Sequence, residues 1–491
     1  MPTLEQLSPP VHQGHVSSSF GETWRLPLLC LLLLIAIVYN TFFALNAPLP
    51  DTNENPLLVA ELISYLPYLL ACVLVLSTRA PEGRKRWLEL GIILLGAVVL
   101  RAQLLGIQPN LSRDSWRYLW DARVTLHGFS PYTYAPNHPL LLHLRNMLYE
   151  NSRFRNVPTI YPPGAQGFYL LSYLLVPDNL PFLKALFSLC EMVSTGLLAL
   201  LLQRKGFDPA RCLIYGWCPV AIVEAALQGH VDALMVMFIM LTLVCSQGTW
   251  RGARAVTGLC LALATLTKLY PILLLVVVWR GRRDWWLLIT CLLTIALSYI
   301  PYLILGHGQI FGFFASYASE VGSMNGGPLA LFMYRLSKQT GWPLQVTYAV
   351  DLLLVCSVSL WIGIRRLQER ISLEASVLIL FCVIFLISSH VFPWYTTVLL
   401  PPVAMMVGAP WTRASGWSGR ALACIGLWYF VCASIFSYFF GTSLNWNLYY
   451  TYVYGVTAVF LLLALLLGMR NWRIDRRTRS ASQGGPQYIQ L

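Results

Sequence analysis

The chain has 491 residues, 57% of them hydrophobic and only 11% charged, with a formal net charge of +13. Soluble domains carry about 25% charged residues, so this composition argues against a soluble enzyme. The positive charge does not point to nucleic acid either, because most Lys and Arg sit in short clusters between apolar runs, as topology signals do in membrane proteins.

Apolar runs near twenty residues long recur along the whole chain, so the expected fold is an all-α polytopic membrane protein. The first run covers residues 26–45, after a polar segment, residues 1–25, placed in the cytoplasm. No small-residue cleavage site follows that run, so no cleaved leader is expected. An acidic loop with Asp51 and Glu54 leads to the second run, 57–77, which ends at Arg79, Arg84, Lys85 and Arg86. That cluster belongs on the cytoplasmic side. The third run, 88–105, then delivers residues 107–166 to the outer face.

Tyr161-Pro162-Pro163 closes that loop, since two prolines in a row cannot lie inside a helix. Residues 165–176 are apolar but short for a span, and read as a juxtamembrane helix. The run 182–202 returns to Arg204 and Lys205. The run 212–227 leads outward to Glu224, His230 and Asp232, and 233–245 returns to Arg251 and Arg254. Residues 256–279 begin and end beside basic clusters, with Lys268 and Pro271 in the middle. Two short helices forming a hairpin, with Lys268 near its outer tip, satisfy this pattern. Further runs at 287–303, 346–364, 377–387, 422–439 and 453–469, with a short return run ending near Trp411 and Arg413, bring the count to about fourteen passes. A second outer loop, 304–345, holds Glu320, Arg335 and Lys338. The tail, 470–491, is basic and placed in the cytoplasm, and its Ser/Gly/Gln-rich end after Arg479 is expected to be irregular. Residues 26–469 form one transmembrane domain without internal repeats.

The loop 107–166 departs from the rest in composition. It holds Asp114, Asp121 and Glu150 against Arg113, Arg117, Arg123, Arg145, Arg153 and Arg155, and Trp116, Tyr118 and Trp120 give it material to pack. A polar loop this long is functional or disordered, and the aromatics argue against disorder. Six Arg on an outer face break the charge rule and call for an anionic partner.

Polar groups from distant runs converge on this face. Asp114 is placed to accept a proton from a hydroxyl as general base; the competing reading is an ion pair with Arg117 at helical spacing. Asp121 lies about two turns further on, to bind hydroxyls or to hold an Arg. Glu224, His230 and Asp232 have spacing too generic for zinc and suit substrate binding or helix–helix hydrogen bonds, so no metal is expected. Lys268 is a compact cation that suits a phosphate; it lies about eleven residues from either basic boundary, too far to reach the cytoplasm by snorkelling. His390, with Trp394 and Tyr395, suits a phosphate or sugar, or else an interfacial aromatic belt. The sequence contains no P-loop, GxSxG elbow or HExxH, so nucleotide hydrolysis is not indicated, and no cofactor is expected.

Taken in order, Arg113-Asp114-Ser115-Trp116-Arg117-Tyr118-Leu119-Trp120-Asp121, Gly128-Phe129-Ser130-Pro131-Tyr132, Tyr161-Pro162-Pro163-Gly164-Ala165-Gln166, Glu224 with Gly229-His230-Val231-Asp232, Leu266-Thr267-Lys268-Leu269-Tyr270-Pro271 and Phe392-Pro393-Trp394-Tyr395 resemble the GT-C superfamily of integral membrane glycosyltransferases. Within it the chain is most similar to bacterial polyprenyl-phosphate-mannose-dependent mannosyltransferases. The resemblance implies a hexosyltransferase of the bacterial inner membrane that works on the periplasmic face. It would use a polyprenyl-phosphate sugar as donor and a glycan, glycolipid or protein as acceptor. Asp114 would be the general base. Arg113, Arg117, Lys268 and His390 would stabilise the departing phosphate, and Tyr118, Asp121, Tyr161, Gln166, Glu224, His230, Asp232, Trp394 and Tyr395 would bind substrate. Two departures stand out: Ser115 follows Asp114 where many relatives have a second acid, and the loop follows the third run rather than the first. Rival readings are a transporter or flippase for a lipid-linked glycan, an outer-face ligase, and a structural assembly subunit. A transporter would show polar groups through to the cytoplasmic side and inverted repeats, and neither is seen.

Overall fold

No water reaches the core of a bilayer, so every spanning segment must close its own backbone hydrogen bonds. The chain meets this demand with helices. The structure, a computed structural model, describes residues 19–45, 55–281, 284–312, 326–412, 416–438 and 446–483. Asp51, Glu54, Arg282, Arg283, Glu320 and Arg413, with residues 1–18 and 484–491, lie outside the described residues.

Three helices come first: α1 (Ser19–Leu45), α2 (Asn55–Ser77) and α3 (Gly83–Ala102). The polar loop folds into α4 (Asp114–Leu126), a 3-10 turn (Pro139–Leu144) and α5 (Met147–Asn151). It is followed by α6 (Pro163–Leu175) and α7 (Leu180–Arg204). The loop has its own apolar core, in which Trp116, Leu119, Trp120, Leu141 and Leu148 pack with Tyr169 of α6 and Phe187 of α7.

The expected straight run 212–227 is instead broken. A 3-10 turn (Pro209–Cys212) and α8 (Leu213–Gly216) meet α9 (Pro219–Ile222) and a π turn (Val223–Leu227) at a bend of 60°. Pro219 lacks an N–H and forces Cys218 out of the helical region, to φ −63° and ψ 121°. Beyond it lie α10 (Asp232–Ser246) and the hairpin: α11 (Ala253–Thr267), a 3-10 turn (Tyr270–Leu274) and α12 (Leu275–Val278). Arg254 closes the hairpin's base, bonding Asp284 Oδ1 at 2.7 Å and the Val278 carbonyl at 2.7 Å.

The remaining helices are α13 (Trp285–Leu305), α14 (Pro328–Thr340), α15 (Leu344–Leu367), α16 (Leu373–Ile387), α17 (Pro393–Thr396), α18 (Leu400–Met406), α19 (Gly419–Ala433), α20 (Trp446–Tyr449) and α21 (Val456–Gln483). The last is continuous through residues 480–483, which composition alone marks as irregular. A β pair, Trp411–Thr412 with Gly416–Trp417, joins two of the final helices.

Among the described residues, five helices are long and apolar enough to cross a membrane, six with the bent pair taken as one. Five shorter apolar helices stand beside them, Glu61–Ser77, Asp232–Ser246, Ala253–Thr267, Leu373–Ile387 and Gly419–Ala433. The fold is that of a multi-pass membrane protein; the fourteen passes expected from the sequence include segments shorter than this length test admits.

The first two helices are built into the bundle by polar contacts. Arg25 of α1 is buried, with Nη2 2.6 Å from Glu89 of α3 and 2.5 Å from Asp208, and Nη1 3.2 Å from the Thr78 carbonyl. The Tyr68 hydroxyl of α2 donates to the Ile214 carbonyl at 2.7 Å and accepts from Trp428 Nε1 at 2.9 Å. Removing one partner from a buried ion cluster leaves uncompensated charge. Arg25→Met should therefore destabilise the protein by about 3–5 kcal/mol, read as the midpoint of unfolding in an SDS titration of detergent-purified protein. An unchanged midpoint would mean that the cluster does not hold α1 in place.

Candidate functional site

The polar loop is anchored where it leaves α3. Gln228, fully buried, accepts the N–H groups of Leu111 at 3.1 Å and Ser112 at 3.2 Å, and its Nε2 donates to Asn110 Oδ1 at 3.0 Å. Ser112 Oγ in turn accepts the N–H of Asp114 at 3.3 Å. Asp114 thus opens α4, where the positive end of the helix favours a carboxylate.

Gln228 is positioned by the π turn, its N–H reaching back to the Val223 carbonyl at 2.9 Å. Such turns are rare and often mark functional sites. The next residue, Gly229, has φ 76°, and a Cβ there would come within 3.0 Å of Ser115 Cβ and 3.1 Å of Lys184 Cγ. Glycine takes this backbone shape without strain and lets α4 approach.

Asp114 is half-buried, and four charged groups act on it. Loss of water is the largest influence and pushes its carboxyl above the usual carboxylate range. Arg153, Lys268 and Arg117 oppose that rise, and Asp232 adds to it.

Lys268 comes from the hairpin tip. α11 ends at Thr267, Lys268 is extended at φ −147°, and Pro271 precludes continuation of the helix. Its Nζ is 2.7 Å from Asp232 Oδ1 and 3.5 Å from the ring centre of Tyr395, a cation–π contact. The two prolines that start α6 bring Gly164 against this tip: a Cβ at Gly164 would lie 2.7 Å from Leu266 Cβ and 2.9 Å from the Leu266 carbonyl oxygen.

Four rings form a column beside Lys268. His230 stacks on Trp394 at 3.6 Å, Trp394 on Phe392 at 4.5 Å and Phe392 on His390 at 5.8 Å, all within 10° of parallel. Glu224 lies behind the column, with Oε2 3.3 Å from His230 Nε2 and Oε1 accepting from the Tyr438 hydroxyl at 3.1 Å.

Of the residues singled out from sequence, Glu224, His230, Asp232, Lys268, His390, Trp394 and Tyr395 join one continuous chain of contacts, and Asp114 lies in the electrostatic field of Lys268 and Asp232. Arg113 stands at its edge, partly buried, at the N-cap of α4. The others are engaged in holding the loop. Arg117 pairs with Asp121 at 2.7 Å rather than with Asp114, and donates to the carbonyls of Phe154 at 2.8 Å and Val157 at 3.0 Å. Asp121 also accepts from Gln166 at 3.2 Å. Tyr118 stacks on Tyr169 at 4.4 Å and meets Tyr161 edge-on at 5.0 Å. Arg153, which the sequence marks only as one of six loop Arg, and Gln228, Phe392 and Tyr438 are not among the residues given a role from sequence. Phe392 lies in a motif already noted and Gln228 precedes one, but Tyr438 carries no local signal. Among the described residues, no group of three His, Cys, Asp or Glu is placed to hold a metal ion.

The model of glycosyltransferase family 87 matches residues 159–389, just under half of the chain. The match includes Tyr161, Gln166, Glu224, His230, Asp232 and Lys268; it begins after Asp114 and stops one residue before His390. The matched model is that of a glycosyltransferase family, in line with the resemblance that the motifs carry. No curated protein matches the sequence. Similar solved structures are those of ArnT from Cupriavidus metallidurans, one bound to undecaprenyl phosphate and one in the apo state. Each is 16% identical over 80% of this chain and 73% of that chain, with TM-scores of 0.43 and 0.38.

Two glycines test how tightly the site is built. Gly229 and Gly128 both have positive φ, 76° and 80°, but a Cβ at Gly128 meets nothing within 4 Å. Gly128→Ala should cost about 1 kcal/mol in backbone strain alone. Gly229→Ala should cost about 1–3 kcal/mol more, read as the difference between SDS unfolding midpoints. Equal losses would mean that α4 is not locked against the π turn.

Proposed function

We propose that the protein moves a hexosyl group, mannose by resemblance, from a polyprenyl-phosphate carrier to a hydroxyl of a lipid, glycan or protein. In this reading residues 26–469 form the transferase domain, crossing the membrane about fourteen times. The site faces the outer side of a bacterial cell membrane, and the N-terminal segment and basic tail lie inside. The observation that carries the reading is the position of Asp114, a carboxylate short of water and set among Arg153, Lys268 and Arg117. The family 87 match points the same way.

The reaction follows from this arrangement. Asp114 accepts the proton of the acceptor hydroxyl. The acceptor oxygen bonds to the anomeric carbon as the bond from that carbon to the phosphate oxygen breaks, and polyprenyl phosphate leaves with the electron pair. One displacement inverts the anomeric centre. Charge builds on the phosphate as it departs, and fixed cations in a site of low dielectric stabilise it. Lys268, already oriented by Asp232 and Tyr395, and the exposed Arg153 are the cations best placed to do so, with Arg113 and His390 beside them. Arg117 contributes mainly by holding residues 154–157, which carry the chain past Arg153.

The deciding experiment is transfer of radiolabelled sugar by purified protein from a panel of polyprenyl-phosphate sugars to native lipid extract. Asp114→Asn should lose at least about a hundredfold in rate and keep the wild-type unfolding midpoint; retained activity removes Asp114 as the base. The carboxylate is the working form and burial raises its pKa. Wild-type kcat/KM should therefore fall as the pH drops through a midpoint above about 4, the ordinary carboxylate value, and residual activity in Asp114→Asn should lack that limb.

Lys268→Ala should lower kcat/KM for the donor about tenfold or more, and an unchanged kcat/KM returns Lys268 to a structural role. The sidedness is tested at Asn156, which is exposed whereas nearby Ser152 is buried. Asn156→Cys in a variant lacking the native cysteines should react with an impermeant thiol reagent added from outside. Labelling only from the cytoplasmic side would invert the topology.

A further inference from the structure

α2 brings two polar groups into the bundle that have no use in the mechanism above. Glu61 is 3% exposed and Tyr65 is 7% exposed. They are four residues apart, so they share one face of the helix. Neither Glu61 Oε1 nor the Tyr65 hydroxyl has a hydrogen-bond partner among the described residues. Buried polar atoms in folded proteins are nearly always satisfied, so two orphans on one helix face call for an occupant.

α2 packs against α9, which runs directly into the π turn that carries Glu224. The Glu61 carboxyl acts on Glu224, and Tyr65 feels both carboxyls. Tyr438, the donor to Glu224, feels Glu61 and Asp114 as well. Across Glu224, neither ring nitrogen of His230 makes a well-aligned hydrogen bond within the described residues, although Nε2 is 3.3 Å from Glu224 Oε2. Two carboxyls, two phenols and an imidazole are thus linked through Glu224, and four of their polar atoms, Glu61 Oε1, the Tyr65 hydroxyl and both His230 nitrogens, lack a hydrogen-bond partner among the described residues. Carboxyls and phenols buried away from water call for hydrogen-bonding partners. Adjacent hydroxyls suit them, because each hydroxyl can donate to a carboxyl oxygen and accept from a phenol.

We infer that Glu61 and Tyr65 bind ring hydroxyls of the sugar being transferred, and so determine which sugar the enzyme accepts. The inference rests on the transferase reading and gives α2 a part in specificity. A site built to hydrogen-bond a hydroxyl strongly rejects the analogue that lacks it, because its own polar groups are then left unpaired.

The test measures kcat/KM for polyprenyl-phosphate mannose and glucose and for their monodeoxy forms, in wild type, Glu61→Gln, Glu61→Leu and Tyr65→Phe. Wild type should reject at least one monodeoxy donor by a hundredfold or more. Glu61→Leu should reduce that ratio at least tenfold and leave discrimination at the other ring positions unchanged, with Glu61→Gln between the two. A purely structural role would lower all donors by one factor, and that result overturns the inference, as do unchanged ratios, which would assign the orphaned atoms to ordered water. Tyr65→Phe removes a single hydroxyl and serves where Glu61→Leu does not fold. If wild type transfers from no donor, the transferase reading falls and this inference with it; if wild type transfers and the variants keep its ratios, only the inference falls.

Discussion

The site depends on one buried amide. The Gln228 side chain joins the π turn to the start of the polar loop, a link between positions 117 residues apart in sequence. Its three hydrogen bonds fix where α4 begins, and hence where Asp114 points. The same turn supplies Glu224 on one side and Gly229, His230 and Asp232 on the other. A regular helix through residues 223–228 would move these groups onto different faces. The extra residue in the π turn and the left-handed Gly229 reconcile a membrane helix with a site at its end.

Low dielectric makes an uncompensated charge expensive, and the protein treats its buried charges in two ways. Several of those far from the site are paired. Arg25 is held by Glu89 and Asp208, Arg101 by Glu191 at 2.8 Å, and Arg254 by Asp284. Near the site the pairing is incomplete. Asp114 sits in the field of several cations without a close ion pair among the described residues, and Glu61 and His230 keep unsatisfied atoms.

The Arg-rich loop shows how one composition serves two purposes. Arg117 and Arg123 are engaged with Asp121 and Asp178. Arg145 and Arg155 each lie over the ring of Tyr149, at 4.5 and 4.8 Å from its centre. These four knit the loop together over its own apolar core. Arg153 is exposed and exerts the largest charge effect on Asp114. An excess of six Arg reads as a demand for an anion; once folded, most of that demand is met inside the loop.

Apolar run length and basic clusters were enough to establish an all-helical, multi-pass membrane protein, and proline placement was enough to locate the hairpin at Lys268 and the start of α6. These features are local. A run of about twenty apolar residues is long enough to span a bilayer whatever it packs against, and two prolines in a row, as at 162–163, cannot sit inside a helix. The order of the motifs also indicated the superfamily. Pairing was not legible, because an Arg at helical spacing from two carboxylates can take either, and only packing against Gln166 and residues 154–157 directs Arg117 to Asp121. Nor was the bend at Pro219, since a broken span and a straight one have the same hydropathy. Gln228 and Tyr438 lie in separate segments with no shared motif, and tertiary structure alone gives them their partners at Leu111, Ser112, Asn110 and Glu224, because long-range hydrogen bonds and helix packing decide which buried polar groups face each other.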